Sequence, residues 1–517
     1  MAATNVKTEI PSEQKMAADI QMTKTETLEE GQQQDVSTVD YFTPDPAFER
    51  KLVRKLDLLT IPMMILIYFL SFLDRTNIGN ARLEGLQQTL GLTDTTYRIA
   101  LTILYVPYIT LEIPSNLLFK KIGPHIFLPT LVTLWGIVST LQGLVKSTGG
   151  LYADRFFLGA VEAGIVPGII LYLSSWYKRD ELQVRIGYFW GAASLSGAIG
   201  GLLAAAISNL SGRAGLGGWS WIFIIEGMVT VACGLSAFFL IAQSPDNTRF
   251  LSAKERAYAA ARLRHDNMHG NDVVINGETH HLKVHDGFAF KTVLSVFQDP
   301  QMWILALIAF TSGTLVFSQA YFLPTVVAGL KNIVTTPVKA QLLTVPPYTL
   351  GVIGTFIGCR YSDKYHFRYP SLAIPALIAI VGVAVIYSTK GEGVRYFGIH
   401  LAVAGIYSSV PTYLSWASNN FSGHYRRATG VAAVFVFTNC GGILSTWLFR
   451  ASEAPDYSTA YRINLAFLCL FLAAGTCLSF HYRRQNKIRN GFVQRGEIEE
   501  YGKDKDGDCH VFFRYIC

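Results

Sequence analysis

The chain has 517 residues, 50% of them hydrophobic and only 16% charged, with a formal net charge of +7. Its apolar residues fall in runs of about twenty, which excludes a soluble globular protein and indicates repeated crossing of a bilayer. Most of the basic residues lie in the loops between these runs, where positive charge orients membrane proteins, so the charge does not argue for a nucleic-acid partner.

Residues 1–48 are rich in Glu, Gln, Thr and Lys and read as a disordered cytoplasmic tail. No cleavable signal peptide is evident, so the first apolar run is expected to target the chain. Apolar spans follow at about 57–79, 96–118, 126–145, 151–175, 185–208 and 219–242. A polar stretch precedes a second set near 301–328, 340–360, 371–388, 394–416, 428–449 and 460–481. The expected fold is an all-α integral membrane protein with twelve transmembrane helices in two six-helix bundles. Residues 49–243 form the first bundle, 244–299 a cytoplasmic middle loop, 300–482 the second bundle and 483–517 a cytoplasmic tail.

Loop charge sets the orientation. Arg50, Lys51, Lys120, Lys121, Lys178, Arg256, Arg262, Lys364, Arg426, Arg483 and Arg484 fall on one face, against Lys146, Arg213 and Lys331 on the other. Both termini and the middle loop are therefore expected in the cytoplasm, the membrane being most simply the plasma membrane. Asn209-Leu-Ser211 is a possible glycosylation site on the opposite face.

The residues with most to say are charges inside spans. Asp74 and Arg75 stand side by side in Leu73-Asp-Arg-Thr-Asn-Ile-Gly-Asn-Ala81. Asp74 lies on the order of 25 Å beyond Asp57 along a helix. A charge there costs roughly 2.5–3.5 kcal/mol on insertion scales, so it should face a polar interior and have a partner. In the fourth span Arg155 and Glu162 are seven residues apart on one helical face, with Gly159 between them. Burial disfavours the ionised glutamate and a nearby arginine favours it, so this pair is either a protonation switch or a static bridge. Glu112 and Glu226 are weaker candidates that helix-end bonding explains equally well. The tenth span ends Ser415-Trp-Ala-Ser-Asn-Asn420, whose amides can serve a carboxylate or hold neighbouring helices.

No soluble-enzyme signature occurs, and without a phosphate-cradling loop any pumping must draw on an ion gradient. The seven cysteines show no metal spacing, and His269, His280, His281 and His285 read as a solvated loop. Neither a metal nor a cofactor is expected. The halves look like an internal repeat: Ala163-Gly-Ile165 and Ala404-Gly-Ile406 are each followed, eight residues after the Gly, by Tyr-Leu-Ser. Glu162 corresponds to Val403, and the seventh span offers Ser318 and Gln319 in place of Asp-Arg, so buried charge is concentrated in the first half.

The stretch 73–81, Arg155-x3-Gly-x2-Glu-Ala-Gly-x2-Pro-Gly168, Trp221-x3-Ile-Glu-Gly227 and Ser415–Asn420 together resemble the anion:cation symporters of the major facilitator superfamily, in particular the fungal allantoate permease branch. The resemblance covers about 48–484. The superfamily's loop motif is degraded after the second span, at Asn116-Leu-Leu-Phe-Lys-Lys-Ile-Gly123, and closer after the eighth, with Gly358, Asp363, Lys364 and Arg368, of which Asp363, Lys364 and Arg368 are the implied gating residues. The resemblance implies two bundles rocking about a central site and a monomer that imports a small organic anion, such as nicotinate, pantothenate, allantoate or biotin, with protons. It implies Asp74 and Glu162 as proton carriers, Arg155 tuning Glu162, and Arg75 with Asn77, Asn419 and Asn420 at the substrate. Export of a metabolite or toxin on the same scaffold, and a non-transporting nutrient sensor, remain the alternatives.

Overall fold

The computed structural model describes residues 45–178, 181–269, 272–275, 278–281, 290–365, 367–421, 424–495 and 513–516. Most of the N-terminal tail, His285, Cys509 and Cys517 lie outside the described residues. The chain from Arg50 onward forms one compact unit.

Twelve helical segments of membrane-spanning length occur among the described residues. The first six are α1 (Pro46–Leu83), α2 with α3 (Asp94–Ile103, Tyr105–Ile122), α4 (Pro124–Gln142), α5 with α6 (Thr148–Glu162, Ile165–Ser174), α7 (Leu182–Ile207) and α8 (Gly218–Leu240). The middle loop carries α9 (Ala253–His269), a hairpin of β1 (Asp272–Ile275) and β2 (Glu278–His281), and α10 (Phe290–Gln298). The last six are α11 (Pro300–Ala328), α12 with α13 (Pro337–Leu342, Val345–Tyr365), α14 (Tyr369–Ser388), α15 (Glu392–Asn419), α16 (His424–Leu448) and α17 (Ser458–Arg495). Ten of these segments are long and apolar enough to cross a bilayer by length and composition. The second span falls short because Glu112, Lys120 and Lys121 share it, and the tenth because serines, Thr412 and Asn419 dilute it.

Local chemistry sets the helix ends. Side chains of Thr93, Ser147, Asp299 and Thr336 accept from backbone N–H groups of the first turns they open, and Pro300 and Pro337 occupy the first helical positions. Gly123, at φ 89°, makes the sharp corner between α3 and α4 with Pro124 ready to start the next helix. The last helix runs to Arg495, well past the expected end of its span, because its basic final turns suit a helix C-terminus and Arg489 Nη1 donates to Phe513 O at 2.9 Å. The middle loop is more ordered than its polarity suggests. Arg262 of α9 is fully buried and donates to both carboxylate oxygens of Glu181 at 3.1 and 3.0 Å.

Glycine permits the close helix contacts. A Cβ on Gly136 of α4 would meet Val231 N at 2.6 Å, and one on Gly227 of α8 would meet Thr140 N at 2.5 Å. The same relation recurs seven residues on, at Gly143 and Gly234. Small residues at such spacing let backbones approach without a hydrophobic drive from lipid. The two halves meet along α7 and α13, where Ser194 Oγ donates to Tyr348 O at 2.7 Å. They meet again along the second and eleventh spans, where Trp447 Nε1 donates to Thr102 Oγ1 at 3.1 Å.

Gly227→Ala should therefore lower the melting temperature in detergent, by overpacking worth about 1–3 kcal/mol, although alanine is the better helix former. Gly393→Ala, where nothing lies within 4 Å of the added carbon, should not. Equal melting temperatures would mean that α4 and α8 can separate freely.

Candidate functional site

The polar interior of the first half is assembled from five spans. Along α1, residues 71–81 are buried without interruption, although five of them are Ser, Asp, Arg, Thr and Asn within Ser71–Asn77. Arg75, 6% exposed, donates from Nε to Glu162 Oε1 at 3.1 Å, and Ser71 Oγ donates to the same oxygen. The other oxygen of Glu162 and the Nη2 of Arg75 have no hydrogen-bond partner. Arg75 is thus half engaged. Its guanidinium carbon lies 4.8 Å from the Tyr108 ring centroid and 5.3 Å from that of Phe317, one ring from each half. Behind these rings Phe72 stacks on Phe317 and meets Tyr407 edge-on, while the hydroxyls of Tyr105 and Tyr321 are 2.6 Å apart.

Asp74 points the other way. α4 presents Trp135, Ser139 and Gln142 on one buried stripe, spaced as neighbours on a helix face. Trp135 Nε1 and Ser139 Oγ donate to the two carboxylate oxygens of Asp74 at 3.2 and 3.0 Å. One turn on, the Gln142 amide, turned to suit both neighbours, accepts from Arg155 Nη2 at 2.7 Å and donates to Asp154 Oδ2 at 2.9 Å. The expected Arg155–Glu162 pairing is therefore corrected: Glu162 pairs with Arg75, and Arg155 serves Gln142 and lies over Phe223. Seven residues of helix are about 10 Å of rise, so sharing a face does not bring two side chains into contact. Between them, Gly159 packs against the Leu104 carbonyl, where the second span breaks.

The other expected residues disperse. Asn77 donates through Nδ2 to Glu226 Oε2 rather than standing beside Arg75. Asn419 and Asn420 are corrected too, being at the far end of α15 from this site. Asn419, turned to suit its neighbour, accepts from both terminal nitrogens of Arg368, at 2.9 and 2.7 Å. Asn420 exchanges two hydrogen bonds with the backbone of Ile516, at 3.1 and 2.9 Å. Both amides hold other segments of the chain, Asn419 the Arg368 that opens α14 and Asn420 the Ile516 backbone, in line with the sequence alternative that they hold neighbouring helices. Arg368, expected at a gate, is buried and also donates to Ser415 O at 3.3 Å. Lys364 is exposed over the Tyr365 ring, and Asp363 lies in α13 with its side chain outside those described. Asn209 is exposed and donates to Ala206 O.

Sequence reasoning passed over Asp154 and the Trp135/Ser139/Gln142 stripe. A polar residue at each of three helix-neighbour positions in an apolar span is the signal that could have found them. The balance of buried charge changes accordingly. Asp74, Glu112, Asp154, Glu162 and Glu226 are all buried, whereas Arg75 and Arg155 are the buried bases among them; Arg185 is tied to Asp57 at the end of the spans. Among the described residues, no set of three or more His, Cys, Asp and Glu side chains is arranged to hold a metal ion.

Comparison with known proteins gives these positions a context. The family model described as Major Facilitator Superfamily matches residues 64–446. An uncharacterised transporter of Schizosaccharomyces pombe is 30% identical over 479 residues, 93% of this chain and 95% of that one. The high-affinity nicotinic acid transporter of Saccharomyces cerevisiae is 30% identical over 499 residues, 95% of this chain and 90% of that one. Among solved structures, the proton:xylose symporter XylE superposes with a TM-score of 0.59 at 14% identity, over 82% of this chain and 95% of that one. The inward-facing, occupied bacterial Spinster homologue gives 0.58 at 16% identity, over 85% and 98%.

The dispersal of the amides carries a test. Asn420→Ala should speed hydrogen exchange at the Tyr515 and Ile516 amides while changing carboxylate affinity less than about twofold. A tenfold loss of affinity would return Asn420 to the substrate site.

Proposed function

The chain belongs to the major facilitator superfamily, a transporter and not an enzyme, and from that premise we propose that it imports a small organic carboxylate together with protons. The observation that carries this reading is the half-engaged Arg75. Its Nε donates to Glu162, and its Nη2 has no hydrogen-bond partner. A planar fork of this kind binds a carboxylate through parallel N–H bonds. Aromatic rings from both halves flank it, and the buried Ser318 hydroxyl of the seventh span lacks a partner. A flat monoanion such as nicotinate suits those surroundings, and a relative named for nicotinic acid supports the class.

Coupling follows from competition. While Glu162 is ionised it neutralises Arg75, and an incoming anion must share that charge. A proton on Glu162 leaves Arg75 uncompensated in the interior, a state costing several kcal/mol, and an anion removes the cost. Proton and substrate then each strengthen the other's binding, as linkage requires. Asp74, held by two neutral donors, keeps α1 and α4 together around the site. In this reading both termini are cytoplasmic, at the plasma membrane, and the chain acts as a monomer.

Uptake of labelled nicotinate, pantothenate, allantoate and biotin into liposomes with an imposed pH gradient tests the proposal. Arg75→Lys should raise KM at least tenfold despite keeping the charge; near-normal affinity would remove Arg75 from the binding site. Glu162→Gln should retain exchange of labelled for unlabelled substrate and lose at least tenfold in proton-driven accumulation. Full accumulation by that variant would reduce Glu162 to a structural partner of Arg75. Topology is tested separately by cysteine labelling: Arg256→Cys should be unreachable from outside intact cells, and labelling there would reverse the orientation.

A further inference from the structure

Several buried carboxylates of the first half have no ion-paired base, and in Glu226 the hydrogen-bond donors are incomplete as well. Glu226, 4% exposed, projects from α8 into the region behind α1. Its Oε2 accepts from Asn77 Nδ2, and its Oε1 accepts from nothing. The remaining atoms nearby add to the deficit of donors. Asn77 is fully buried and Asn80 3% exposed, and the carbonyl oxygen of each amide is also without a partner. They stand three residues apart on α1, hence on one face of it. Across from them, an added Cβ on Gly200 of α7 would lie 3.9 Å from Asn77 Oδ1 and 3.3 Å from Thr76 Oγ1.

No arginine or lysine among the described residues forms an ion pair with Glu226. The guanidinium of Arg155 lies over Phe223, one turn earlier on α8, but it is bound to Gln142. The charged group that faces Glu226 is Asp74, another acid. The contrast between the two is informative. Asp74 has a donor on each oxygen. Glu226 has a single amide donor and leaves one oxygen without a partner. A carboxylate so placed is held by a cation or not held at all.

We infer that Glu226, Asn77 and Asn80 form a separate seat for a coupling cation, either a proton or a sodium ion. Both would satisfy the same excess of oxygen acceptors, and carbonyl and carboxylate oxygens are the ligands hard cations take. This rests on the symport reading above, and extends it: Glu162 answers to the substrate through Arg75, whereas Glu226 binds its cation without touching Arg75. A monoanion would then enter with two positive charges, one at each site, and the cycle would carry net charge inward.

The test is uptake into liposomes holding the full chain, with pH gradient, sodium gradient and membrane potential imposed one at a time. The probe is whichever of nicotinate, pantothenate, allantoate and biotin the wild type accumulates. For wild type, an inside-negative potential should raise accumulation, up to about tenfold per 60 mV for one net charge. Glu226→Gln should lose that response and keep electroneutral, pH-driven uptake. Voltage-driven uptake that needs external sodium identifies sodium at the site, and uptake that persists in choline and follows pH identifies the proton. Retention of the full voltage response by Glu226→Gln, or its absence in wild type, overturns the inference. If wild type accumulates none of the four under any gradient, the symport reading itself has failed. Asn80→Ala, which leaves the carboxylate in place, guards against a misfolded Gln variant. It should need at least tenfold more of the coupling cation for half-maximal voltage-driven uptake, and an unchanged requirement counts against the site.

Discussion

Arg75 donates from Nε to Glu162 while its Nη2 has no hydrogen-bond partner, and the first six spans are arranged around that imbalance. A guanidinium in a low-dielectric interior cannot be left without a counter-charge, yet one tied down on every nitrogen cannot receive a ligand. The compromise is a single carboxylate on Nε, a Ser71 hydroxyl that donates to the same oxygen, and the ring faces of Tyr108 and Phe317 beside the guanidinium. Such faces attract a cation through their quadrupole. Because Phe317 comes from the seventh span and Tyr108 from the second, the cation senses how the two halves are set against each other.

Charge in the second half follows a different rule. Its buried charged residues among those described, Arg368, Arg395 and Arg489, are all bases. Each is held near a helix end, by Asn419, Asp456 or the Phe513 carbonyl. None faces a buried acid in mid-membrane. That leaves the second half electrically inert at the centre, with hydroxyls such as Ser318 and the Tyr321 phenol turned toward the first half. Such an asymmetry lets one bundle carry the binding energetics while the other supplies surface, and movement between them need not break a buried ion pair.

Much of this was legible in the residues, and the failures have physical causes. Hydropathy and loop charge locate the twelve spans because the bilayer permits few alternatives. The concentration of buried charge in the first half is equally readable, since a charge in an apolar run is costly and must find a partner whether its role is structural or functional. Pairing was harder. Periodicity places Arg155 and Glu162 on one face, but partners across helices depend on depth, and at equal depth Glu162 meets Arg75. Asn419 and Asn420 misled for a related reason: an amide at the end of a span is near a helix terminus first and near the bundle centre only if the helix continues. Asp154 and Gln142 stand in the sequence only as polar residues in apolar spans, and their mutual bonding depends on which helix lies opposite, which spacing along one chain does not give.

The five buried acids are therefore best distinguished by their donors rather than by their positions along the chain. Asp74 has an indole and a hydroxyl; Asp154 has an amide whose other end is fixed by Arg155; Glu162 has a guanidinium and a hydroxyl. Glu112 faces Asn439 of the eleventh span without a closed hydrogen bond, and both its oxygens lack partners. Glu226 has one amide. With five carboxylates and two guanidiniums in the same interior, neutrality demands that positive charge be brought in from outside, and the poorly provided acids are where it is needed. An ion gradient can act on a protein only through groups whose charge state the fold leaves unfinished, and here those groups lie in the same helices that present Arg75 to its ligand.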